Sequence, residues 1–584
     1  MKTNLGEGKR RQEGYALLSV VAIAVISIAT YASIAQWTAN NSRLNDRNNS
    51  YNSAVLAAEA ATEQVVAFVA RDFANQTYSP TRLENYRNLV PTNDWAANYA
   101  YSDNAGIADR TCFDTSSSMV KTNLNSQFAG LYGLAYSCRV RSCARPLTGP
   151  SGIAAAVQQD LQLASIPVFQ FAIFYSMDLE INPGAQMEVT GKVHSNANLY
   201  NAPRVGLRFA DSVSAVGRVY DTRHLDDPQY GSTKVASVFV ETNSPTPFTS
   251  SLVLPIGTNN TPEEVRRILE VPPLSENPNS QAGQQRYYNK ADLIITVTDT
   301  NALVQSGRWD DLKNITPDVY VGTNPVSYSF ITTTNSFYDQ REQKNTIVTD
   351  IDVAKLISWM TNAGAAKNTH LQISKGHKVN SIYVNDTRTA AGKLTAVRVK
   401  NGRILPPDGL TVATSLPLYV QGHFNAPITT VGSTNTSTTK PASLLGDAIT
   451  VLSGNWLDAN STSAVTSRAA IDTTVNAAFL AGIVPTTNSF GTKHYSGGVE
   501  NFPRFLENWS GKTLTYNGSM VVMFPSRYAK NWWVDPGTGS SNYYTAPNRS
   551  WAFDLNFLNY NRLPPGTPQV RKLVRGQWNV IAAR

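Results

Sequence analysis

Charge and cysteine are scarce in this chain. Only 16% of its 584 residues are charged, and only three are cysteines: Cys112, Cys138 and Cys143. Three cysteines suit an oxidising compartment in which one disulfide forms and one thiol is left over, and the sequence does not decide which two would pair. Cys138 and Cys143 lie five positions apart with no histidine nearby, so their spacing does not favour zinc.

Signatures of catalysis and of cofactor binding are also missing. The six histidines of the chain form no metal-binding spacing, and no Gly-x-Ser-x-Gly motif is present. Gly511-Lys512-Thr513 echoes a phosphate-binding loop, but Leu506 stands where that loop needs its first glycine. We interpret His194 and His423, each close to an asparagine at a predicted turn, as structural residues. We therefore expect no enzyme, no cofactor and no metal.

The net charge of +8 is thinly spread over this length. A nucleic-acid-binding protein concentrates lysine and arginine on one face, with aromatic residues among them. Here the densest basic cluster, Lys9-Arg10-Arg11, stands just before an apolar segment. It reads as a topology signal, so we expect no nucleic-acid partner.

That apolar segment is long enough to cross a membrane. No charged residue occurs from Tyr15 to Trp37, and these 23 residues span about 34 Å as a helix, against a hydrocarbon core of about 30 Å. The basic cluster lies on its N-terminal side and the first charge beyond the segment is Arg43, so the leader is expected in the cytoplasm and the rest of the chain outside. The sequence therefore predicts a single membrane span, from Leu17 to Trp37. An ordinary secretory signal, cut near Ala35, is the alternative.

The junction between leader and apolar segment carries a resemblance to a known family. A short charged leader ends in Gly14, and Tyr15 opens the apolar run. This arrangement resembles type IV pilins and pseudopilins, in which prepilin peptidase cuts after the glycine and the apolar helix is retained. The resemblance implies a mature chain that begins at Tyr15. Most pilins have glutamate at the fifth mature position, whereas this chain has Ser19, which fits a minor or initiating subunit better than a filament subunit.

An amphipathic helix is predicted beyond the membrane, over residues 38–79. Apolar and small residues recur there every three or four positions, which marks one face of a helix; they are Tyr51, Val55, Ala58, Thr62, Val65, Val69 and Phe73. The run over 52–61 resembles the same region of PilX-like minor pilins, and the combined resemblance covers about residues 9–73. A generic signal-anchor helix with an amphipathic stalk is the alternative.

The remaining chain predicts an α+β protein that is predominantly β, with a large extracytoplasmic part. Sequence patterns divide the whole chain into a leader (1–14), a transmembrane helix (15–37), a stalk helix (38–79), a small subdomain with the cysteines (80–167), a β-rich domain (168–430) and an aromatic-rich C-terminal lobe (431–584). A solenoid-like sheet and a β-sandwich are both compatible with the β-rich domain. Lys400-Asn401-Gly402-Arg403 predicts a hairpin turn.

These features favour a pilin-like structural or assembly protein of a type IV pilus or a type II secretion-like system. We expect it in the bacterial inner membrane, with its C-terminal region in the periplasm or at the cell surface. Its expected partners are prepilin peptidase and other pilin-like subunits. The alternatives are a surface adhesin or carbohydrate-binding module on the same anchor, and an anchored polysaccharide hydrolase.

Overall fold

The computed structural model of the protein describes residues 15–584, apart from 151, 255, 257–259, 307–312, 315–319, 322–323, 326–328, 362–377, 390 and 537–541. The side chains of 307–328 and of 361 are also outside the description. The leader, including Gly14, therefore lies outside the described residues.

A single helix of 60 residues opens the described chain. This helix, α1 (Tyr15–Ala74), is exposed along its first half and packs against the protein along its second half. Its buried residues are Ala54, Ala57, Ala58, Ala61, Thr62, Val65, Val66, Val69 and Phe73. The predicted continuation of the helix beyond the apolar segment is confirmed. Of the predicted face, Tyr51 is exposed because the buried positions of α1 begin at Ala54, and Val55 is half-buried against the cluster around Ala57.

An antiparallel sheet covers the second half of α1. After the short helix α2 (Glu84–Arg87), it contains β1 (Tyr99–Ser102), β2 (Cys112–Thr115), β3 (Val120–Asn123), β4 (Tyr132–Pro146) and β5 (Ala155–Pro167). The long strand β4 pairs with β1, β2 and β3 along one edge and with β5 along the other. We call this sheet, together with α2, the head.

The chain then winds into short parallel strands. The first coils contain β6 (Ile173–Tyr175), β7 (Leu179–Ile181), β8 (Met187–Val189), β9 (Val193–Ser195), β10 (Leu199–Asn201), β11 (Leu207–Phe209), β12 (Val213–Ala215), β13 (Val219–Tyr220) and β14 (Val238–Phe239). Leu179, Leu199 and Val219 stand in register, and hydrogen bonds join the stacked coils at intervals of 20 residues. Each coil thus adds one strand to each of three faces. We call residues 168–568 the solenoid.

Short helices follow these first coils: α3 (Pro262–Val265), α4 (Gln281–Gln285) and α5 (Tyr287–Lys290). Thr261 caps α3 by accepting a hydrogen bond from the backbone N–H of Glu264, and Pro262 is its first residue, where proline is favoured.

The second set of coils is longer. Its strands and one helix are β15 (Leu293–Val297), β16 (Ala302–Ser306), β17 (Lys313–Asn314), β18 (Tyr320–Val321), β19 (Asn324–Pro325), β20 (Ile331–Thr332), β21 (Ser336–Asp339), β22 (Lys344–Asp352), α6 (Val353–Thr361), β23 (Ser381–Asp386), β24 (Leu394–Lys400), β25 (Leu410–Ala413), β26 (Leu418–Gln421), β27 (Ala442–Gly446), β28 (Ile449–Leu452), β29 (Thr473–Asn476), β30 (Ala478–Ile483), β31 (Thr487–Ser489), β32 (Thr492–His494), β33 (Pro503–Arg504), β34 (Thr513–Gly518), β35 (Met520–Pro525) and β36 (Asn548–Phe553).

The two sets of coils join into one sheet. The described strands of its first face follow the order β12-β9-β6-β35-β30-β27-β25-β23-β15-β16-β17. The first set therefore stacks away from β6, and the second set stacks back towards it, until β35 pairs in parallel with β6. The chain consequently enters and leaves the solenoid on neighbouring strands.

The last strand returns to the head. This strand, β37 (Gln569–Ile581), runs antiparallel to β5, and Gln569 lies opposite Pro167. The solenoid is thus an insertion between two adjacent strands of the head sheet, and such an insertion is tolerated because its two ends are close together.

Two features differ from the sequence-based predictions. The strands pair across residue 430, where we expected a boundary: β25 pairs with β27, and β26 with β28. The predicted hairpin at Lys400–Arg403 is wrong, because β24 pairs in parallel with β22 and β26 and the four residues form a corner of one coil. Asn401 has the left-handed φ of 55° that also suits a hairpin turn.

Candidate functional site: an exposed apolar helix and a basic notch

The first half of α1 is an apolar surface with no protein against it. Tyr15, Leu17, Ile26 and Trp37 are each at least 60% exposed. Over the described residues, α1 is the one helix long and apolar enough to cross a membrane. The predicted span from Leu17 to Trp37 lies on this exposed part.

Three hydroxyl groups in this part of α1 are hydrogen-bonded within the helix. Ser19 donates to the carbonyl of Tyr15, and Ser33 donates to that of Ala29, each at 2.8 Å. Thr30 donates to Ile26 at the same distance. Such bonds remove the cost of placing a hydroxyl in hydrocarbon. The small residues Ala22, Ala24, Ser27, Ala29, Ala32 and Ser33 recur along this part of the helix, and small residues allow close helix packing in lipid.

The second half of α1 fits tightly onto the head. Ala57, Ala58 and Ala61 are fully buried against a cluster that includes Ala144 of β4 and Val157 of β5. Side chains this small let the helix axis lie close to the sheet. Farther along, Val65, Val69 and Phe73 pack against β2, β4 and β5.

The three cysteines are free thiols in the structure. Cys138 packs in the cluster beneath α1. Cys112 is opposite Arg141 in the β2–β4 register and contacts that guanidinium at 3.2 Å. Alternation along β4 places residue 138 on one face and residues 141 and 143 on the other, which separates Cys138 from the other two.

His194 is a structural residue of the solenoid interior. Its Nδ1 lies 2.9 Å from Ser214 Oγ and its Nε2 lies 3.1 Å from Asn196 Oδ1. The ring also contacts Phe171 and Phe174. Burial lowers the pKa of His194 to about 4, so the ring is neutral at physiological pH.

His423, by contrast, lines a notch on the solenoid wall. The notch has a volume of about 400 Å³ and forms where three successive coils turn after β24, β26 and β28. Lys400 pairs with Gln421 in these strands, and the next residue of each coil, Asn401 and Gly422, has left-handed φ. Gly422 also lies against Gly454 of the following coil, so no side chain fills this corner. We call this cavity the basic notch.

Ion pairs build the floor of the basic notch. Arg398 binds Asp350 and Asp458 through two hydrogen bonds each, at 2.6–3.0 Å. Lys400 donates to Asp350 at 2.7 Å. Two cations thus neutralise two carboxylates. Arg403, on the rim, donates from Nε to the carbonyl of Ala426 at 3.3 Å, and no described carboxylate forms an ion pair with it.

The ring of His423 is a neutral hydrogen-bond donor in this notch. Its Nδ1 accepts the backbone N–H of Thr474 at 3.1 Å, which leaves the ring proton on Nε2. Burial, and then the charge of Arg403, lower the pKa of His423. Sequence patterns point to this histidine but not to the notch, because the lining side chains come from separate coils.

No metal centre is evident in the part of the chain that the structure describes, since no three histidine, cysteine, aspartate or glutamate residues converge there. The carboxylates of the basic notch are held by Arg398 and Lys400 rather than left open to a cation.

Comparison with known proteins adds one weak structural similarity. No protein-family model matches the chain, and no curated protein matches it. Among solved structures, the chain is similar to the competence-associated pilin ComZ from Thermus thermophilus, with a TM-score of 0.29 and 10% sequence identity. The similarity covers 91% of this chain and 97% of that one. A likeness of this degree carries no conclusion about function.

Proposed function

We propose that this chain is a pilin-like subunit, a minor pilin or pseudopilin, of a type IV pilus or type II secretion-like system. It is anchored in the inner membrane by α1 and holds the solenoid outside. One observation carries the proposal: α1 is a single helix whose apolar first half is bare and whose second half is buried in the head. Such a helix can leave the bilayer and pack beside other helices while the head stays folded.

Three further points support the proposal. The leader ends in Gly14 directly before this helix. The hydroxyls of Ser19, Thr30 and Ser33 are bonded within the helix, which suits lipid or a helix bundle. The solenoid is inserted in the head sheet at the end of β5, so it is displayed without interrupting the contact between α1 and the head.

The first test is the N-terminal sequence and intact mass of the membrane-extracted chain. We expect a mature start at Tyr15 in a strain with prepilin peptidase. The uncut chain should accumulate in a strain without the peptidase and in a Gly14→Ala variant. A Gly6→Ala variant is the matched control, because it changes a leader glycine away from the junction. An uncut wild-type chain, or a cut near Ala35, would contradict the proposal.

A surface-binding role is the second candidate, and the basic notch favours it. The notch is lined by residues of the solenoid and presents the guanidinium of Arg403, which forms no ion pair with a described carboxylate. The two candidates are compatible, since the anchor determines location and the solenoid determines what is bound. We assign no hydrolytic step to the notch, because Asp350 and Asp458 are both ion-paired with Arg398.

A further inference from the structure

We infer that the basic notch binds a carboxylate-bearing sugar, such as a uronic acid residue of an acidic polysaccharide. The inference concerns the solenoid alone. It therefore stands or falls independently of whether the N-terminus is processed.

The cationic side of the notch selects a negative charge. Arg398 and Lys400 are ion-paired with Asp350 and Asp458, and the carboxylate of Asp352 is held by the amide of Asn401, whereas Arg403 forms no ion pair with a described carboxylate. Its guanidinium is therefore the cation of the lining that can pair with an anionic ligand. A guanidinium matches the two oxygens of a carboxylate in a planar, bidentate arrangement. Lys400 uses one of its three N–H donors on Asp350, and His423 adds its Nε2–H. The ligand must therefore be rich in acceptor oxygens.

The amide side chains of the notch require hydrogen-bond donors on the ligand. The NH₂ group of Asn335 donates to Asp350 at 2.6 Å, and that of Asn401 donates to Asp352 at 2.7 Å. Gln421 donates to the carbonyl of Trp456 at 3.0 Å. All three partners are acceptors only, so the chemistry fixes which end of each amide is nitrogen. Each amide oxygen thus remains available, and no described group donates to it.

A ligand for this lining needs both an anionic group and hydroxyl donors. Inorganic phosphate has the charge, but most of its oxygens are acceptors and leave the three amide oxygens unmatched. A sugar acid presents a carboxylate to Arg403 and hydroxyls to the amides. A cavity of about 400 Å³ is of the size that admits one or two sugar rings.

The same lining argues against single-stranded nucleic acid. Proteins of that class offer aromatic faces on which bases stack. Among the described residues that line the notch, the aromatic ones are His423 and Trp456, and the indole of Trp456 is 4% exposed. That indole packs edge-on against Phe337 and donates its N–H to Asp458 at 2.8 Å. It forms part of the wall and leaves no stacking platform.

The test is calorimetric titration of the full chain in detergent micelles with digalacturonic acid. We expect saturable binding, at least tenfold weaker for the neutral digalactose and for inorganic phosphate. Arg403→Gln should weaken binding of the acid at least tenfold, and its fold is safe because Arg403 makes one long hydrogen bond at 3.3 Å. Arg208→Gln, which removes an exposed arginine of the first coils, is the matched control and should bind normally.

A second variant separates the hydroxyl contacts from the charge. Gln421→Met removes an amide oxygen whose NH₂ group bonds the backbone carbonyl of Trp456, so no carboxylate loses its partner and the charges of the notch are unchanged. It should weaken the sugar acid severalfold and leave any residual phosphate binding unchanged. Three results would each overturn the inference. The first is no heat of binding for the sugar acid, and the second is equal affinity for phosphate or for a DNA oligonucleotide. The third is an Arg403→Gln variant that binds the acid as the wild type does.

Discussion

Arg575 of the last strand binds Glu63 of the first helix through two hydrogen bonds, at 2.5 and 2.6 Å. Gln159 of β5 joins the pair by donating to Glu63 at 2.7 Å. The contact links residues 512 positions apart, so the helix meets its full surface only after the solenoid between them has been made. The head is therefore completed by the end of the chain.

The first prediction concerns this pair. Both side chains are partly exposed, and such pairs contribute about 0.2–1 kcal/mol. We expect a coupling energy of that size in a double-mutant cycle of Glu63→Gln and Arg575→Gln, measured by denaturant unfolding. The hydrogen bond from Arg575 lowers the pKa of Glu63. The contribution is therefore present above pH about 4.5 and is lost as pH falls through the lowered pKa. A coupling unchanged at acid pH would contradict this assignment.

The second prediction tests the close packing of α1 on the head. Ala58 is fully buried, whereas Ala67 of the same helix is exposed. Ala58→Leu should push the helix from the sheet and lower the free energy of unfolding by about 1–3 kcal/mol. Ala67→Leu adds the same atoms facing solvent and should change it by less than about 0.5 kcal/mol. Equal effects of the two substitutions would mean that the helix does not pack as described.

The third prediction concerns a buried carboxylate that fastens the solenoid. Asp447 accepts the backbone N–H groups of Tyr528 and Ala529 at 2.8 Å and the guanidinium of Arg266 at 2.5 Å. Asp447→Ala leaves Arg266 buried without this partner, so we expect a loss of about 3–5 kcal/mol in denaturant unfolding. Arg527→Ala, in which the lost side chain is 62% exposed, is the control and should cost less than about 1 kcal/mol.

The elements that sequence patterns predict well are the ones with local periodicity. Tyr15 to Trp37 is uncharged, and Ala58 to Phe73 keeps a helical period, so α1 could be placed from its residues alone. A repeat of 20 residues was also present, for example at Leu179, Leu199 and Val219. Local patterns do not reveal this repeat, because each coil holds three strands of two or three residues, which are too short to show a period of their own.

The arrangement of the coils could not be predicted in the same way. β35 pairs with β6 through contacts between residues more than 300 positions apart. No local sequence pattern specifies such contacts. The corner at Asn401 was misassigned because one left-handed residue serves both a hairpin and a coil corner. The basic notch brings together Asn335, Arg403 and Asp458, and it exists only after stacking.

The fourth prediction concerns the cysteines. With Cys138 beneath α1 and the other two thiols unpaired, maleimide labelling of the denatured, unreduced chain should modify all three. Intact mass measures the number of labels directly. In the native chain Cys138 should react slowest, since burial raises its pKa to about 11 and leaves little thiolate. One labelled thiol per chain would show that a disulfide forms after all.

The last prediction follows from two buried carboxyls of the solenoid. Burial raises the pKa of Glu180 from 4.5 to about 8 and that of Glu500 from 4.5 to about 7. Glu180 receives hydrogen bonds from Ser496 and Thr486 on one oxygen, while its other oxygen, Oε2, has no partner. Between the unfolded value of 4.5 and these raised pKa values, the folded chain keeps protons that the unfolded chain has released. The free energy of unfolding must therefore fall as pH rises through this range.

We therefore expect denaturant unfolding to show higher stability at about pH 5 than at about pH 8 from these two groups. Glu180→Gln, which cannot ionise, should flatten that dependence and should gain stability relative to the wild type at the higher pH. Glu188→Gln is the matched control, because its side chain is half exposed and pairs with Arg208 at the surface. If the buried and the exposed substitutions leave the same slope, then Glu180 ionises freely, which would require water to reach it and its surroundings in the solenoid to be open.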